Sequence, residues 1–143
     1  MQVSKLIAGR ASSDIVSCAP DATLQDVVDI LAEHRIGAMP VMEGRKVVGI
    51  ISERDVMYCL AAEGGEGLAK RVSEAMTAPV ISVECTTSSL EALALMTERR
   101  FRHLPVVEDG EMCGFLSIGD LVKSRLDEVS VEANAMREYI RMA

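Results

Sequence analysis

The stretches GIISERD (residues 49–55) and GFLSIGD (residues 114–120) share a Gly, two apolar residues, a Ser and an Asp, with each matched residue 65 positions from its partner. An internal repeat constrains a fold more tightly than composition does, because both copies must adopt the same local structure. Residues 14–61 align with residues 79–126 without a gap and share nine identities: Ser17/Ser82, Glu33/Glu98, Arg35/Arg100, Pro40/Pro105, Val41/Val106, Glu43/Glu108, Gly49/Gly114, Ser52/Ser117 and Asp55/Asp120. Apolar character is kept at Ile36/Phe101, Met39/Leu104, Ile50/Phe115 and Ile51/Leu116. The chain is therefore expected to contain one local fold twice.

Each copy opens with a short run read as a strand, DIVSC or PVISV. A helix start follows, where Thr23 precedes Asp26 by three residues and Ser88 precedes Glu91 by three. Hydroxyls so placed cap free backbone N–H groups. Val27, Val28, Ile30 and Leu31, and in the second copy Ala92, Leu93, Leu95 and Met96, fall on one helical face. AMPVM and HLPVV read as strands, EGRK and EDGE as turns, and VVGII and MCGFL as returning strands of hairpins. A second helix begins at SERDVMYCLA or SIGDLVKSRL. Neither copy alone buries enough apolar surface, so the expected fold is α+β, with two small mixed sheets, each with two helices, packed through the sheets. The expected divisions are an N-terminal segment 1–13, a first motif 14–62, a linker 63–78, a second motif 79–126 and a helical tail 127–143. In the linker EGGEG reads as a flexible break and LAKRVSEAM as a short helix; the tail carries Val131, Ala135, Met136, Tyr139 and Ile140 at near-helical spacing.

A formal net charge of -7 opposes a nucleic-acid partner, whose phosphates are held by Lys and Arg. No apolar run approaches the roughly 20 residues that span a bilayer. MQVSKLIAGR has neither a long apolar stretch nor a cleavage-like end, so the expectation is a soluble, cytoplasmic protein without a membrane partner. Cys18, Cys59, Cys85 and Cys113 form no CxxC pair, and His34 and His103 stand apart, so no metal site is expected from spacing.

The Ser and Asp of the repeated motif have two readings. One is structural: SxxD at a helix start is a capping arrangement, favoured by the positive end of the helix dipole. The other is a ligand site, because a carboxylate accepts ribose hydroxyls and a helix N-terminus attracts phosphate. Gly49 and Gly114 on the approaching strand, and Pro40 and Pro105 at matched positions 15 residues before the Asp, surround both motifs alike.

With these motifs in register, the sequence resembles a tandem pair of CBS domains, the Bateman module of adenosyl-ligand sensors, over residues 14–126. The resemblance implies a pseudo-twofold pair with two clefts, each able to hold AMP, ADP, ATP, S-adenosylmethionine or NAD, with AMP the leading expectation. It implies one cleft with Ser52, Arg54, Asp55, Gly37, Ala38 and Met39, faced by Thr77, Ala78 and Val80. The other would take Ser117, Asp120, Phe101, Arg102, His103 and Leu104, faced by Ser13 and Ile15. Because Arg102 and His103 replace Gly37 and Ala38, that second cleft is expected to be the more cationic, while Arg99 and Arg100 read as a solvated helix end.

Three functions follow in order: a regulatory module sensing an adenosine-containing ligand, a structural dimerisation module with unfilled clefts, and an enzyme. The enzyme ranks last because no nucleophile–base pair or P-loop is present. The paired repeat makes up nearly all of the sequence, so output is expected through an unidentified regulated protein or through assembly, with a homodimer as the expected state.

Overall fold

A computed structural model describes residues 1–142. In chain order it contains α1 (Val3–Ile7), α2 (Leu24–His34), β1 (Ala38–Glu43), β2 (Lys46–Ser52), α3 (Glu53–Glu63), α4 (Val72–Ala75), α5 (Ser89–Arg99), β3 (His103–Glu108), β4 (Glu111–Ser117) and α6 (Ile118–Met142). Helix α2 begins in a reciprocal cap, in which Thr23 Oγ1 accepts from Asp26 N–H and Asp26 accepts from Thr23 N–H. Ser88 caps α5 in one direction, accepting from Glu91 N–H. The two antiparallel hairpins are copies down to their irregularities. Val41 faces Gly49 and Val106 faces Gly114, and each ladder shifts just after that pair.

The expected opening strands shrink to one bridging residue each, Cys18 beside Val41 and Val83 beside Val106, both parallel. Cys18 N–H donates to Pro40 O at 3.2 Å and Cys18 O accepts from Met42 N–H at 2.8 Å. A longer parallel ladder would need a donor at Pro40 on one side and at Pro20 on the other, and proline has none. In the second copy Pro105 blocks one side in the same way, while Cys85 stands where Pro20 does. Each sheet is thus mixed, but its parallel member is minimal.

The linker also differs from expectation. EGGEG is no open break, since Gly64–Ala69 forms a 3-10 helix with Gly67 buried against Cys59, and only Val72–Ala75 of LAKRVSEAM is α-helical. The second helix of the second half does not stop near Leu126 but runs on to Met142 as one 25-residue helix.

The two cores repeat each other. Val27, Leu31, Met39, Val41, Ile51 and Val56 pack in one, and Ala92, Met96, Leu104, Val106, Leu116 and Leu121 pack at the matching places in the other. Each core is completed from the far side of the chain. Val72 of α4 is fully buried in the first-half core and Val3 of α1 in the second-half core. Backbone bonds repeat as well: Val72 N–H to Ala22 O at 2.8 Å matches Val3 N–H to Thr87 O at 2.8 Å. Ser73 N–H to Pro20 O likewise matches Ser4 N–H to Cys85 O. The helix preceding each half therefore docks on the other half. Burying one valine side chain in this way contributes about 1.5–3 kcal/mol. Between the hairpins, Met112 N–H donates to Arg45 O at 3.0 Å.

The motif glycines make room for these docked segments. A Cβ at Gly114 would lie 2.8 Å from Ile7 Cγ2, and one at Gly49 would strike the Met76 side chain. Gly114→Ala is expected to destabilise the protein by about 1–3 kcal/mol, as overpacking does. In urea melts the loss should be clearly smaller when measured in an Ile7→Ala background, where the colliding side chain is gone. An equal loss in both backgrounds would refute the docking of α1 on β4.

Candidate functional site

At the first strand-to-helix junction the capping arrangement is present. Ser52 Oγ accepts from Asp55 N–H at 3.3 Å, while Ser52 N–H and its hydroxyl donate to Asp55 Oδ2 at 2.9 and 3.0 Å. The other carboxylate oxygen, Oδ1, accepts from Thr77 Oγ1 at 3.3 Å. Thr77 is held there by paired backbone bonds with Ile50 on the edge of β2, of 3.1 and 2.9 Å. Capping therefore engages Oδ2 and leaves Oδ1 pointing toward a polar neighbour on the linker.

The second junction repeats the cap, with Asp120 N–H to Ser117 Oγ at 3.1 Å and Ser117 N–H to Asp120 Oδ2 at 3.0 Å. It departs in the partner. Arg10 grips both carboxylate oxygens of Asp120, Nη2 to Oδ1 at 3.2 Å and Nη1 to Oδ2 at 3.4 Å. Burial raises the Asp120 carboxyl, but the Ser117 N–H, the Arg10 guanidinium and the Ser117 hydroxyl outweigh it and hold the group below the usual carboxylate range. Arg10 lies 69 positions before Pro79, in the frame set by Val3/Val72 and Ser4/Ser73.

One cleft of about 660 Å³ opens between the halves, within the size range of small-molecule sites. Gly37, Ala38, Ser52, Arg54 and Asp55 line one side, Thr77 and Val80 the linker wall, and Phe101, Arg102 and His103 the far side. Residues expected in two separate clefts thus share one. Met39 and Leu104 do not line it, since both are fully buried in the cores, and Ala78 is an exposed neighbour outside the lining. Ser13 and Ile15 line a different depression with Met42, Arg45, Asp109 and Cys113, which Ser117 and Asp120 do not border.

Arg99 and Arg100 do end α5, yet they also line the cleft and join Arg54 and Arg102 there. Four guanidinium groups against the carboxylates of Glu53 and Asp55 make the cleft lining net positive in an acidic protein. The identity Arg35/Arg100 was the available signal for Arg100. Both arginines stand at helix C-termini with positive φ, 53° and 59°, where glycine is the usual choice. Glu53, Met57, Pro79 and Ile81 also line the cleft and were not expected there.

His103 stacks on Phe115, with ring centroids 5.4 Å apart and planes 13° from parallel. Desolvation by burial holds the imidazole below its ordinary range; Asp120 opposes that shift and Arg102 adds to it. The ring is neutral at neutral pH, so the expected cationic contribution of His103 falls to the arginines.

Paired capped junctions, exchanged leading helices and one cleft between the halves define a two-motif α+β protein. The chain belongs to the CBS domain family: the family model matches residues 3–62 and 72–127. The CBS domain-containing protein CBSX3, mitochondrial, of Arabidopsis thaliana is 35% identical over 87% of this chain, and the match spans 63% of that relative's length. The crystal structure of a CBS-domain containing protein from Agrobacterium tumefaciens superposes with a TM-score of 0.81 at 35% identity, covering 87% of this chain and 99% of that one. The structure of CBSX2 in complex with AMP superposes with a TM-score of 0.76 at 26% identity, covering 88% and 96%. Among the described residues no helix is long and apolar enough to cross a membrane.

The depressed His103 has a thermodynamic sign. The unfolded chain takes up the proton near pH 6.5, above the folded value, so stability is present at neutral pH and falls as pH drops through that region. Melting temperatures taken between about pH 7.5 and pH 5.5 should decline, and His103→Gln should flatten the decline. An unchanged slope in the variant would contradict the burial of a neutral imidazole.

Proposed function

We propose that the chain is a regulatory module that binds an adenosine-containing ligand in the cleft between its halves, with AMP as the first candidate. The observation that carries this reading is the position of Asp55 Oδ1 beside Thr77 on one side of the cleft, with Arg99, Arg100 and Arg102 on the other. A carboxylate for ribose hydroxyls and guanidinium groups for phosphate line one space. Val80, Ile81 and Phe101 offer apolar surface for the base. The AMP complex of CBSX2 supports AMP first; ADP, ATP, NAD and S-adenosylmethionine present the same adenosine, so ligand choice turns on the 5′ substituent, phosphate in the nucleotides and a sulfonium in S-adenosylmethionine. The module acts by binding and not by turnover, in a cytoplasmic setting, with its output passing to a regulated protein partner or to assembly.

The second Asp is not equivalent to the first. Arg10 already satisfies Asp120 through two bonds, so a ligand there must displace a charge-assisted pair. Unequal occupancy follows.

Calorimetric titration separates ligand binding from capping. AMP should bind more tightly than adenosine, with the gap narrowing as salt rises, because charge-assisted bonds are the stronger kind and are screened. Asp55→Ala should remove the main binding event, whereas Asp120→Ala should leave it. If Asp55 only caps α3, the variant loses about 0.5–2 kcal/mol of stability and titrates like the wild type. That result would return the cleft to a purely structural role.

Assembly as a homodimer completes the proposal. Val131, Met136, Tyr139 and Ile140 on α6 are all exposed, Tyr139 by 72%, and Met57 and Tyr58 are exposed on α3. An isologous contact is the commonest way to cover such surface. Light scattering should report a dimer, and Met136→Asp with Tyr139→Asp should shift it toward monomer. A wild-type monomer at tens of micromolar, with or without AMP, would exclude this assembly.

A further inference from the structure

One cluster has no counterpart in the first half. Cys85 Sγ lies 3.5 Å from Cys113 Sγ and 3.6 Å from Glu108 Oε2, and the three ligand atoms fall within 4.8 Å of one another. They come from three places: the segment after the Val83 bridge, the last residue of β3, and β4. The matching positions in the first half are Pro20, Glu43 and Val48, so the thiols are an addition to the repeat and not part of it.

We propose that Cys85, Cys113 and Glu108 bind one thiophilic divalent cation, with zinc as the expected metal and solvent as a fourth ligand. In a tetrahedral zinc site with ordinary bond lengths, two thiolate sulfurs stand about 3.8 Å apart and a sulfur and carboxylate oxygen about 3.6 Å apart. The observed separations match those edges within a few tenths of an ångström. Sulfur donors select zinc over magnesium or calcium, which take oxygen shells. Glu108 and Cys113 also border a depression lined by Arg45, Asp109 and Glu111, so solvent reaches the cluster; Arg45 pairs with Glu111, and Glu108 and Asp109 leave the opening net acidic. Binding forms two metal–sulfur bonds and one metal–oxygen bond, releases the two thiol protons to solvent, and changes no oxidation state. Because Cys85 O accepts from Ser4 N–H, the bound ion would also brace the strand segment on which α1 docks.

Cobalt(II) is the probe, added to the full chain kept reduced with a phosphine rather than a thiol. The expected result is one ion per chain, a thiolate-to-cobalt charge-transfer band, tetrahedral d–d absorption and release of two protons. Zinc should displace cobalt and erase the spectrum. Cys85→Ser and Cys113→Ser should each abolish or strongly weaken the charge-transfer band, and Glu108→Gln should weaken binding about tenfold or more. Cys18→Ser and Cys59→Ser should leave it intact, and circular dichroism melts establish that each variant is folded. Absence of the band in the folded wild type overturns the proposal. So does a band that survives in the folded double variant Cys85→Ser/Cys113→Ser, or thiols that oxidise to a disulfide with peroxide but take up neither cobalt nor zinc when reduced.

Discussion

Val3 and Val72 are each fully buried in a core built by the other half, and much of the site follows from that exchange. A leading helix that docks across the molecule carries its following residues past the opposite strand-to-helix junction. In this way Thr77 reaches the edge of β2 and Asp55, and Arg10 reaches Asp120. Glycine at 49 and 114 is the matching concession in the sheet, because any side chain there would occupy the space of Met76 or Ile7. The packing constraint and the site constraint are therefore the same constraint.

On this repeated scaffold the side chains diverge. The first half brings the small residues Gly37 and Ala38 to the cleft, with the Glu53 side chain packed against Gly37, while the second brings Arg102 and His103 to its far wall. Thr77 and Pro79 in one leading segment correspond to Ala8 and Arg10 in the other. The result is an asymmetric space, with Glu53, Arg54 and Asp55 on one wall and only guanidinium groups and the neutral His103 among the ionisable side chains of the other. Asp120 meanwhile is neutralised within its own chain by Arg10.

The hairpins, the helix starts and the capped junctions were legible because they rest on local rules and are written twice at one spacing. What was not legible came through the connections. The leading segments repeat with an offset of 69 rather than 65, and only Val3/Val72 and Ser4/Ser73 are identical within the docked helices. Projecting Ala78 and Val80 by 65 leads to Ser13 and Ile15, which border another depression; the shifted frame leads to Gly9 and Ala11, beside Arg10. The shortened strands were also readable in principle, since Pro20, Pro40 and Pro105 mark where a ladder has no donor. The shared cleft was not, because it depends on how one half sits against the other and no local spacing encodes that.

At Arg100 the demands of the backbone and of the cleft lining diverge. Its backbone is left-handed, with φ of 59°, a conformation that disfavours any side chain by roughly 1–2 kcal/mol relative to the right-handed one and that glycine adopts freely. Its guanidinium nevertheless forms part of the positive wall. A lineage bred only for heat resistance would drift toward glycine at this position, gaining robustness while thinning the charge around the cleft. Persistence of Arg100 together with loss of Arg35, which has the same left-handed backbone outside the cleft, would thus report on the cleft and not on the architecture that carries it.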